Sequence, residues 1–199
     1  MRVIMFSTDR KIFDAASAVR ERMSEYAALF EELHIIVFAT TKNKFTKIQI
    51  SENCWAYPTQ SFLSVFYPFG AYRIGAKLIK NLKSADSPTV LTAQDPFETG
   101  LVATLLAKRF KLKLQIQVHT DFLNPAFIHL SILNQIRLHV AAFVLPKAYG
   151  IRVVSAKIKR ELMRKVGISH ERITILPIFL DAKAIVNFPA AVDLKQMNA

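Results

Sequence analysis

The chain has 199 residues, of which 52% are hydrophobic and 21% charged, which excludes a disordered chain and allows one domain with a sizeable core. Lys and Arg number 27 against 15 Asp and Glu, so the formal net charge is +12. This excess favours an anionic partner such as phosphate, nucleic acid or acidic lipid headgroups, without choosing among them.

Apolar periodicity predicts strands and helices that alternate along most of the chain. Strands are predicted at 2–7, 33–39, 47–50, 54–57, 89–93, 112–118, 151–154 and 172–176. Helices are predicted at 14–32, 71–83, 96–110, 126–145 and 156–166. This alternation indicates an α/β fold: a Rossmann-like, doubly wound, mostly parallel sheet with helices on both faces and right-handed crossovers.

Boundary signals support several of these elements. Asp95 to Glu98, with the sequence DPFE, resembles a capping box with proline at the first helical position. Ser155 is placed to begin the last predicted helix and Gly167 to end it. Beyond Asp181 the periodicity fades, so we predict a domain at 1–181 and, at 182–199, the start of an interdomain connection or a C-terminal tail.

The single cysteine, Cys54, restricts the possible chemistry. It excludes an intramolecular disulfide, a CxxC redox motif and a Cys-based zinc site, and the five histidines show no metal-ligand spacing. We therefore expect neither a metal nor a cofactor, and a reducing, cytoplasmic location.

Membrane insertion is not expected from the sequence. The N-terminus has no apolar stretch long enough for a signal-peptide core, and the longest uncharged run contains Pro58, Pro68 and Gly70. We expect a protein in solution or on a membrane surface.

The most informative segment runs from Val90 to Asp121 and reads as strand, turn, helix and strand, followed by His119, Thr120 and Asp121. Ligands of open α/β sheets bind beyond the carboxyl ends of the strands. We therefore expect His119 to face such a crevice, where an imidazole donates or accepts a hydrogen bond near neutral pH. The alternative is a histidine that caps a loop. Asp121 is interpreted as a group that orients the imidazole or binds a hydroxyl of a ligand, or as a turn residue.

Other polar residues follow predicted strands at the same edge. Asp9 and Arg10 come after the first strand and are candidates for substrate binding, or else a solvated surface pair of little energetic consequence. Asp95 is a helix cap first and a substrate-binding residue second. Ser155 caps a helix whose exposed amides also suit an anionic group.

A basic face is predicted on the helix at 71–83, where Arg73, Lys77 and Lys80 recur opposite an apolar face. The helix follows the aromatic-rich sequence SFLSVFYPFGAY. A basic amphipathic helix beside exposed aromatic side chains is typical of a contact with an anionic membrane surface. A solvated helix face over an ordinary core is the alternative interpretation.

Four segments, in this order and spacing, resemble the N-terminal domain of family-four retaining glycosyltransferases of GT-B architecture. They are RVIMFSTD, VLTAQDPFETGLVATLLAKRF with LQIQVHTD, GIRVVSAKIKRELMRKVGI, and ITILPIFLD. The resemblance implies transfer of a sugar from a nucleotide-sugar donor to an acceptor hydroxyl with retained configuration. This half would bind a sugar or lipid-linked acceptor, and a C-terminal half would bind the donor. In the family, the histidine that matches His119 contacts the transferred sugar or lies close to it.

The chain departs from the family pattern in two respects. It has no pair of glutamates with seven residues between them, which the family uses in its donor-binding half. The turn after the first strand, Ser7 to Lys11, also lacks the glycines that let backbone amides approach a phosphate, although Arg10 and Lys11 offer positive charge. Without the donor half, the isolated chain is expected to be inactive.

Two other functional classes remain open at this stage. The chain is also compatible with a Rossmann-like module that binds a nucleotide or carbohydrate without catalysis. The net charge suggests a nucleic-acid binder, but the sequence carries no recognised nucleic-acid-binding fingerprint, so no nucleic acid partner is expected.

Overall fold

One eight-stranded sheet organises the computed structural model, which describes residues 1–82 and 87–177. Its strands are β1 (Arg2–Ser7), β2 (Glu32–Val37), β3 (Ile48–Ser51), β4 (Cys54–Pro58), β5 (Thr89–Ala93), β6 (Lys113–Val118), β7 (Gly150–Val153) and β8 (Ile173–Ile175). Their order across the sheet is β3-β4-β2-β1-β5-β6-β7-β8. The pair β3 and β4 is antiparallel, and the other neighbours are parallel.

Helices connect these strands as the alternation predicts. They are α1 (Ala18–Ala27), α2 (Tyr67–Leu82), α3 (Glu98–Phe110), α4 (Pro125–His129), α5 (Ile132–Val144) and α6 (Ala156–Glu161). The predicted α/β class, with a mostly parallel sheet and helices on both faces, is confirmed. The predicted domain boundary at 181, the segment 182–199 and the predicted helix end at Lys83 lie outside the described residues.

The two faces of the sheet are covered unequally. Helices α2, α3, α5 and α6 pack on one face and form a large apolar cluster around Phe6, Leu91 and Ile116. On the other face, α1 packs Met23 and Ala27 against β1, β2 and β4. Among the described residues, α1 is the only helix on that second face. There a concavity of about 600 Å³ extends over β5, β6 and β7.

Two predicted helices differ from the observed ones because polar side chains bind the local backbone. The helix predicted at 14–32 begins only at Ala18, since Asp14 accepts a hydrogen bond from the Ala16 amide (3.0 Å) and Ser17 caps the helix. The helix predicted at 126–145 is divided into α4 and α5, because Ser131 accepts a hydrogen bond from the Asn134 amide (3.2 Å) and starts a new helix.

The other two differences concern a proline and the last helix. Helix α2 begins at Tyr67, four residues earlier than predicted, and Pro68 lies in its first turn, where a missing amide costs no helical hydrogen bond. Helix α6 continues as a π-helical turn at Leu162–Val166 and ends, as predicted, at Gly167, whose φ is +73°.

A histidine is buried on β2, the third strand of the sheet. His34 on β2 is 5% exposed, and its ring stacks on Trp55 at a centroid distance of 5.0 Å. Its Nε2 lies 2.8 Å from Glu32 Oε2 and its Nδ1 lies 3.0 Å from the Tyr57 hydroxyl. Burial lowers the pKa of His34 below 6.5, and it outweighs the opposing effect of the Glu32 carboxylate.

This lowered pKa predicts a pH-dependent stability. Below pH 6.5 the unfolded chain takes up a proton at His34 before the folded chain does, so the free energy of unfolding falls as the pH decreases toward the folded-state pKa. We expect the native protein to lose more stability than His34→Gln between pH 7 and about pH 5 in urea titrations. Equal losses of stability in the two proteins would contradict a lowered pKa of His34 in the folded state.

Candidate functional site

The carboxyl ends of β1 and β5 are joined by a polar contact. Ser7 Oγ donates a hydrogen bond to Gln94 Oε1 (2.6 Å) and accepts one from the Asp9 amide (3.0 Å). Because β1 and β5 pair in parallel, their ends lie at the same edge of the sheet. The residues that follow the two strands are thereby held together at this edge.

His119 is exposed directly beyond the carboxyl end of β6. Its Nε2 lies 3.1 Å from Gln117 Oε1, and Arg152 Nη1 donates to the same oxygen (3.3 Å). Gln117 Nε2 in turn donates to Thr92 Oγ1 (3.4 Å), which fixes the amide orientation. Since an amide oxygen only accepts, His119 Nε2 carries the hydrogen and Nδ1 keeps its lone pair. Within residues 1–82 and 87–177, Nδ1 has no hydrogen-bond partner.

The charge state of this imidazole is set by its surroundings. Partial burial of the ring, and then the positive charge of Arg152, lower the pKa of His119 below 6.5. The ring is therefore neutral at pH 7, and its Nδ1 offers a hydrogen-bond acceptor at the edge of the sheet.

The two residues after His119 have polar partners other than its ring. Asp121 Oδ2 forms an ion pair with Lys157 Nζ at 2.8 Å, and this contact raises the pKa of Lys157. The Thr120 carbonyl accepts a hydrogen bond from the Phe122 amide (2.9 Å), and Phe122 is buried against Phe97. The interpretation that Asp121 orients the imidazole is therefore wrong, because Gln117 occupies that position.

Asp9 and Arg10 have separate partners and do not pair with each other. Asp9 Oδ1 accepts a hydrogen bond from the Lys11 amide (3.0 Å) and caps a short 3-10 turn. Arg10 Nε donates to the Phe38 carbonyl (3.0 Å), and Nη2 donates to the Tyr67 hydroxyl (2.9 Å). The interpretation as a solvated ion pair is wrong. The Arg10 guanidinium is instead fixed between the end of β2 and the start of α2.

Asp95 lies in the tight turn between β5 and α3. Its Oδ1 accepts a hydrogen bond from the Phe97 amide (2.8 Å), and burial raises its pKa. Helix α3 begins only at Glu98, whose carboxylate binds Arg137 (2.9 Å), so the predicted capping box does not form. A Cβ at Gly100 would lie 2.8 Å from the Asp95 carbonyl oxygen, so this position needs glycine for the close approach.

Ser155 performs its predicted capping role at the end of β7. Its Oγ accepts a hydrogen bond from the Ile158 amide (3.3 Å) at the start of α6. This contact engages the side chain within the chain, and α6 is only six residues long.

A groove of about 600 Å³ opens between α5, the start of α3 and the segment before α2; we call it the α5 groove. Apolar side chains form most of its lining: Phe38, Val65, Phe97, Leu101, Leu133, Ile136 and Val140. Two cations, Arg10 and Arg137, also line it. His119 is not among its lining residues.

The basic face predicted on α2 is exposed. Arg73, Lys77 and Lys80 point away from the core, and the Arg73 guanidinium lies 5.7 Å from the centroid of the Phe69 ring. Phe62, Phe66 and Phe69 before and within the first turn are 77%, 51% and 63% exposed.

In the described part of the chain, no helix is long and apolar enough to cross a bilayer. The same residues place no three His, Cys, Asp or Glu together as a metal site.

Sequence reasoning missed the polar partners that hold His119. Gln117 and Arg152 lie within strands, where polar residues are easily taken for exposed side chains. The signal is the alternation in β6, in which Lys113, Gln115 and Gln117 share one face. Glu98 and Arg137 are far apart in sequence, and no pattern marks their pairing.

The sequence profile of Glycosyltransferase Family 4 matches residues 18–183. Solved structures give a consistent result at the level of fold. Sucrose-phosphate synthase from Thermosynechococcus elongatus aligns at 15% identity and a TM-score of 0.62, over 93% of this chain and 93% of that one. No curated protein sequence matches the chain significantly.

Two further structures extend over much longer chains. HepE from Anabaena, in complex with UDP and glucose, aligns at 16% identity and a TM-score of 0.54, over 91% of this chain and 45% of that one. The UDP-GlcNAc 2-epimerase of Methanocaldococcus jannaschii aligns at 15% identity and a TM-score of 0.54, over 88% of this chain and 45% of that one. The chain thus spans about half the length of these two proteins.

The His119 network predicts a specific tautomer. In ¹⁵N-edited NMR spectra we expect His119 to carry its proton on Nε2 and to titrate below pH 6.5. Gln117→Leu should remove this preference, because Nε2 loses its acceptor. Gln49→Leu, which replaces an exposed glutamine on β3 that bonds to the Glu52 carbonyl, is the matched control and should leave it intact. A proton on Nδ1 in the native protein would refute the network.

Proposed function

Because the chain belongs to Glycosyltransferase Family 4, we propose that it is the acceptor-binding half of a sugar-transferring enzyme. A second, C-terminal domain binds a nucleotide-sugar donor. The sugar passes to a hydroxyl of a sugar or lipid-linked acceptor held at the carboxyl edge of this sheet, with retention of anomeric configuration. The domain is taken to extend over 1–181, with 182–199 leading to the second domain.

The half-length alignments support a two-domain enzyme. HepE, whose structure holds UDP and glucose, is about twice as long as the part that this chain matches. We infer that the isolated chain does not transfer sugar, since the residues that would hold the nucleotide belong to the other half. A binding module without catalysis is the alternative.

The observation that carries the proposal is the Nδ1 of His119 at the carboxyl edge, which has no hydrogen-bond partner among residues 1–82 and 87–177. A neutral imidazole whose other nitrogen is tied to Gln117 accepts a hydrogen bond from a sugar hydroxyl in one fixed direction. In this proposal His119 positions the transferred sugar, and the departing phosphate accepts the acceptor proton. The rate enhancement comes mainly from positioning and from electrostatic stabilisation of the leaving diphosphate.

The other acceptor-binding candidates differ in how free their side chains are. Arg10 is the strongest, because its guanidinium is fixed by two neutral groups and keeps its charge for an anion. Thr120 is exposed, whereas the remaining candidates have side chains engaged in caps or an ion pair: Asp9, Asp95, Asp121 and Ser155.

Joining this chain to the donor-binding half of a homologue tests the role of His119. His119→Ala should lower turnover by about tenfold to a hundredfold, because a positioning contact is lost. The control is His139→Ala, which removes an exposed histidine on α5 whose ring bonds to the Gln135 carbonyl of its own helix. Unchanged turnover in His119→Ala, with an unchanged melting temperature, would remove His119 from the site.

Donor hydrolysis separates the two candidate functions. The isolated chain should neither hydrolyse nor transfer the sugar of a nucleotide sugar. The fused two-domain protein should do so if the chain is an enzyme half. If the fused protein binds donor and acceptor but transfers nothing, the binding module is favoured.

We also infer a location at the inner face of a membrane, in the cytoplasm. The exposed cations Arg73, Lys77 and Lys80 lie on the helix that carries Phe69 in its first turn. Cations attract anionic headgroups, and aromatic rings suit the membrane interface. Such docking would bring the carboxyl edge of the sheet close to a membrane-bound acceptor.

Vesicle co-sedimentation tests this docking. Replacing Arg73, Lys77 and Lys80 by Gln should weaken binding to vesicles rich in phosphatidylglycerol by about two orders of magnitude, at about 1 kcal/mol per cation. Raising the salt concentration should have a similar effect. The matched control replaces Arg22, Lys108 and Lys111, three exposed cations elsewhere, by Gln. Equal binding to neutral and acidic vesicles would exclude the docking.

A further inference from the structure

The α5 groove has the size of a ligand site. Its volume of about 600 Å³ falls within the range of roughly 300–1,000 Å³ that is common for small-molecule sites. It lies at the carboxyl edge of the sheet, since Arg10 and Phe38 from the ends of β1 and β2 contribute to its lining.

The apolar walls of the groove are unusually exposed. Val65 on one side and Leu133 and Ile136 on α5 are 72%, 49% and 55% exposed. More exposed apolar side chains flank them in sequence: Leu63, Phe66, Leu130 and Ile132. Apolar surface of this extent marks a site at which a ligand or partner excludes water.

The two cations of the groove differ in whether a carboxylate neutralises their charge. Arg137 is neutralised by Glu98, whose Oε1 lies 2.9 Å from its Nη2. Arg10 is held by a carbonyl and a hydroxyl, both uncharged, and within residues 1–82 and 87–177 no carboxylate lies within ion-pair distance of it. A fixed guanidinium with unused N–H groups suits a phosphate or carboxylate.

We propose that the α5 groove binds a phosphorylated lipid, with its hydrocarbon chain against Val65, Leu133 and Ile136 and its phosphate on Arg10. The inference rests on the proposed function and names the acceptor class: a lipid phosphate. A soluble sugar phosphate would satisfy Arg10 but leave the apolar walls in water. The combination of one un-neutralised cation with an apolar groove matches an amphiphile.

Calorimetric titration of the 199-residue chain with alkyl phosphates tests the proposal. Butyl, hexyl and octyl phosphate, each below its critical micelle concentration, are compared with inorganic phosphate and glucose 6-phosphate. Affinity should rise by up to about fourfold for each added methylene, as expected when the chain leaves water for an apolar groove.

Two variants separate the two ends of the ligand. Arg10→Gln should weaken the binding of every phosphate compound by a similar factor. The dependence of affinity on the length of the alkyl chain should remain. Ile136→Gln should reduce the gain per methylene and leave inorganic phosphate unaffected. Their matched controls are Arg22→Gln on α1 and Leu105→Gln on α3, exposed residues that do not line the groove. All four side chains are partly or largely exposed, and thermal melting checks that each variant folds.

The outcomes distinguish this inference from the proposed function. Octyl phosphate that binds no more tightly than inorganic phosphate or glucose 6-phosphate would overturn the lipid site. So would Arg10→Gln and Ile136→Gln variants that behave as their controls. These titrations need neither donor nor second domain. If the fused protein transferred sugar to soluble acceptors only, the lipid site would be refuted and the proposed transferase function would still hold.

Discussion

The parallel pairing of β1, β5, β6 and β7 is the constraint on which the candidate site depends. Parallel neighbours end at the same edge, so Ser7, Gln94, His119 and Ser155 converge although they are distant in sequence. Helices α3 and α5, which connect these strands, pack on one face of the sheet. They contribute the ion pair of Glu98 and Arg137. An antiparallel arrangement of the same strands would divide these residues between two edges.

The fold class was predictable because the hydrophobic pattern reports it directly. Strands β1 and β2 are mostly apolar and are buried on both faces, as the pattern indicates. Helix boundaries were less predictable, because Asp14, Ser17 and Ser131 compete for backbone amides that a periodicity argument assigns to the helix. Local hydrogen bonds decide where a helix begins, and apolar spacing does not report them.

Placement of the site residues was predictable from topology, but their partners were not. His119 lies at a strand end because the strand ends there. Whether its ring meets Asp121 or Gln117 depends on side-chain direction, and Asp121 instead meets Lys157. Arg10 illustrates the same limit. Its contact with Tyr67 joins residues that are 57 positions apart, which a single sequence does not reveal.

The uneven cover of the sheet connects the fold to the chemistry of His119. In β6, Leu114, Ile116 and Val118 face the large helical cluster, and Gln115 and Gln117 face the opposite side, where α1 is the only described helix and packs against β1, β2 and β4. Burial of Gln117 under an apolar helix would cost free energy unless its amide found new partners. Because this side is open near β6, the Gln117 amide is tolerated there. Its oxygen accepts hydrogen bonds from His119 and Arg152, and this leaves the Nδ1 of His119 as the acceptor at the carboxyl edge. The polar alternation of one strand thus determines which nitrogen of the imidazole keeps its lone pair at the carboxyl edge.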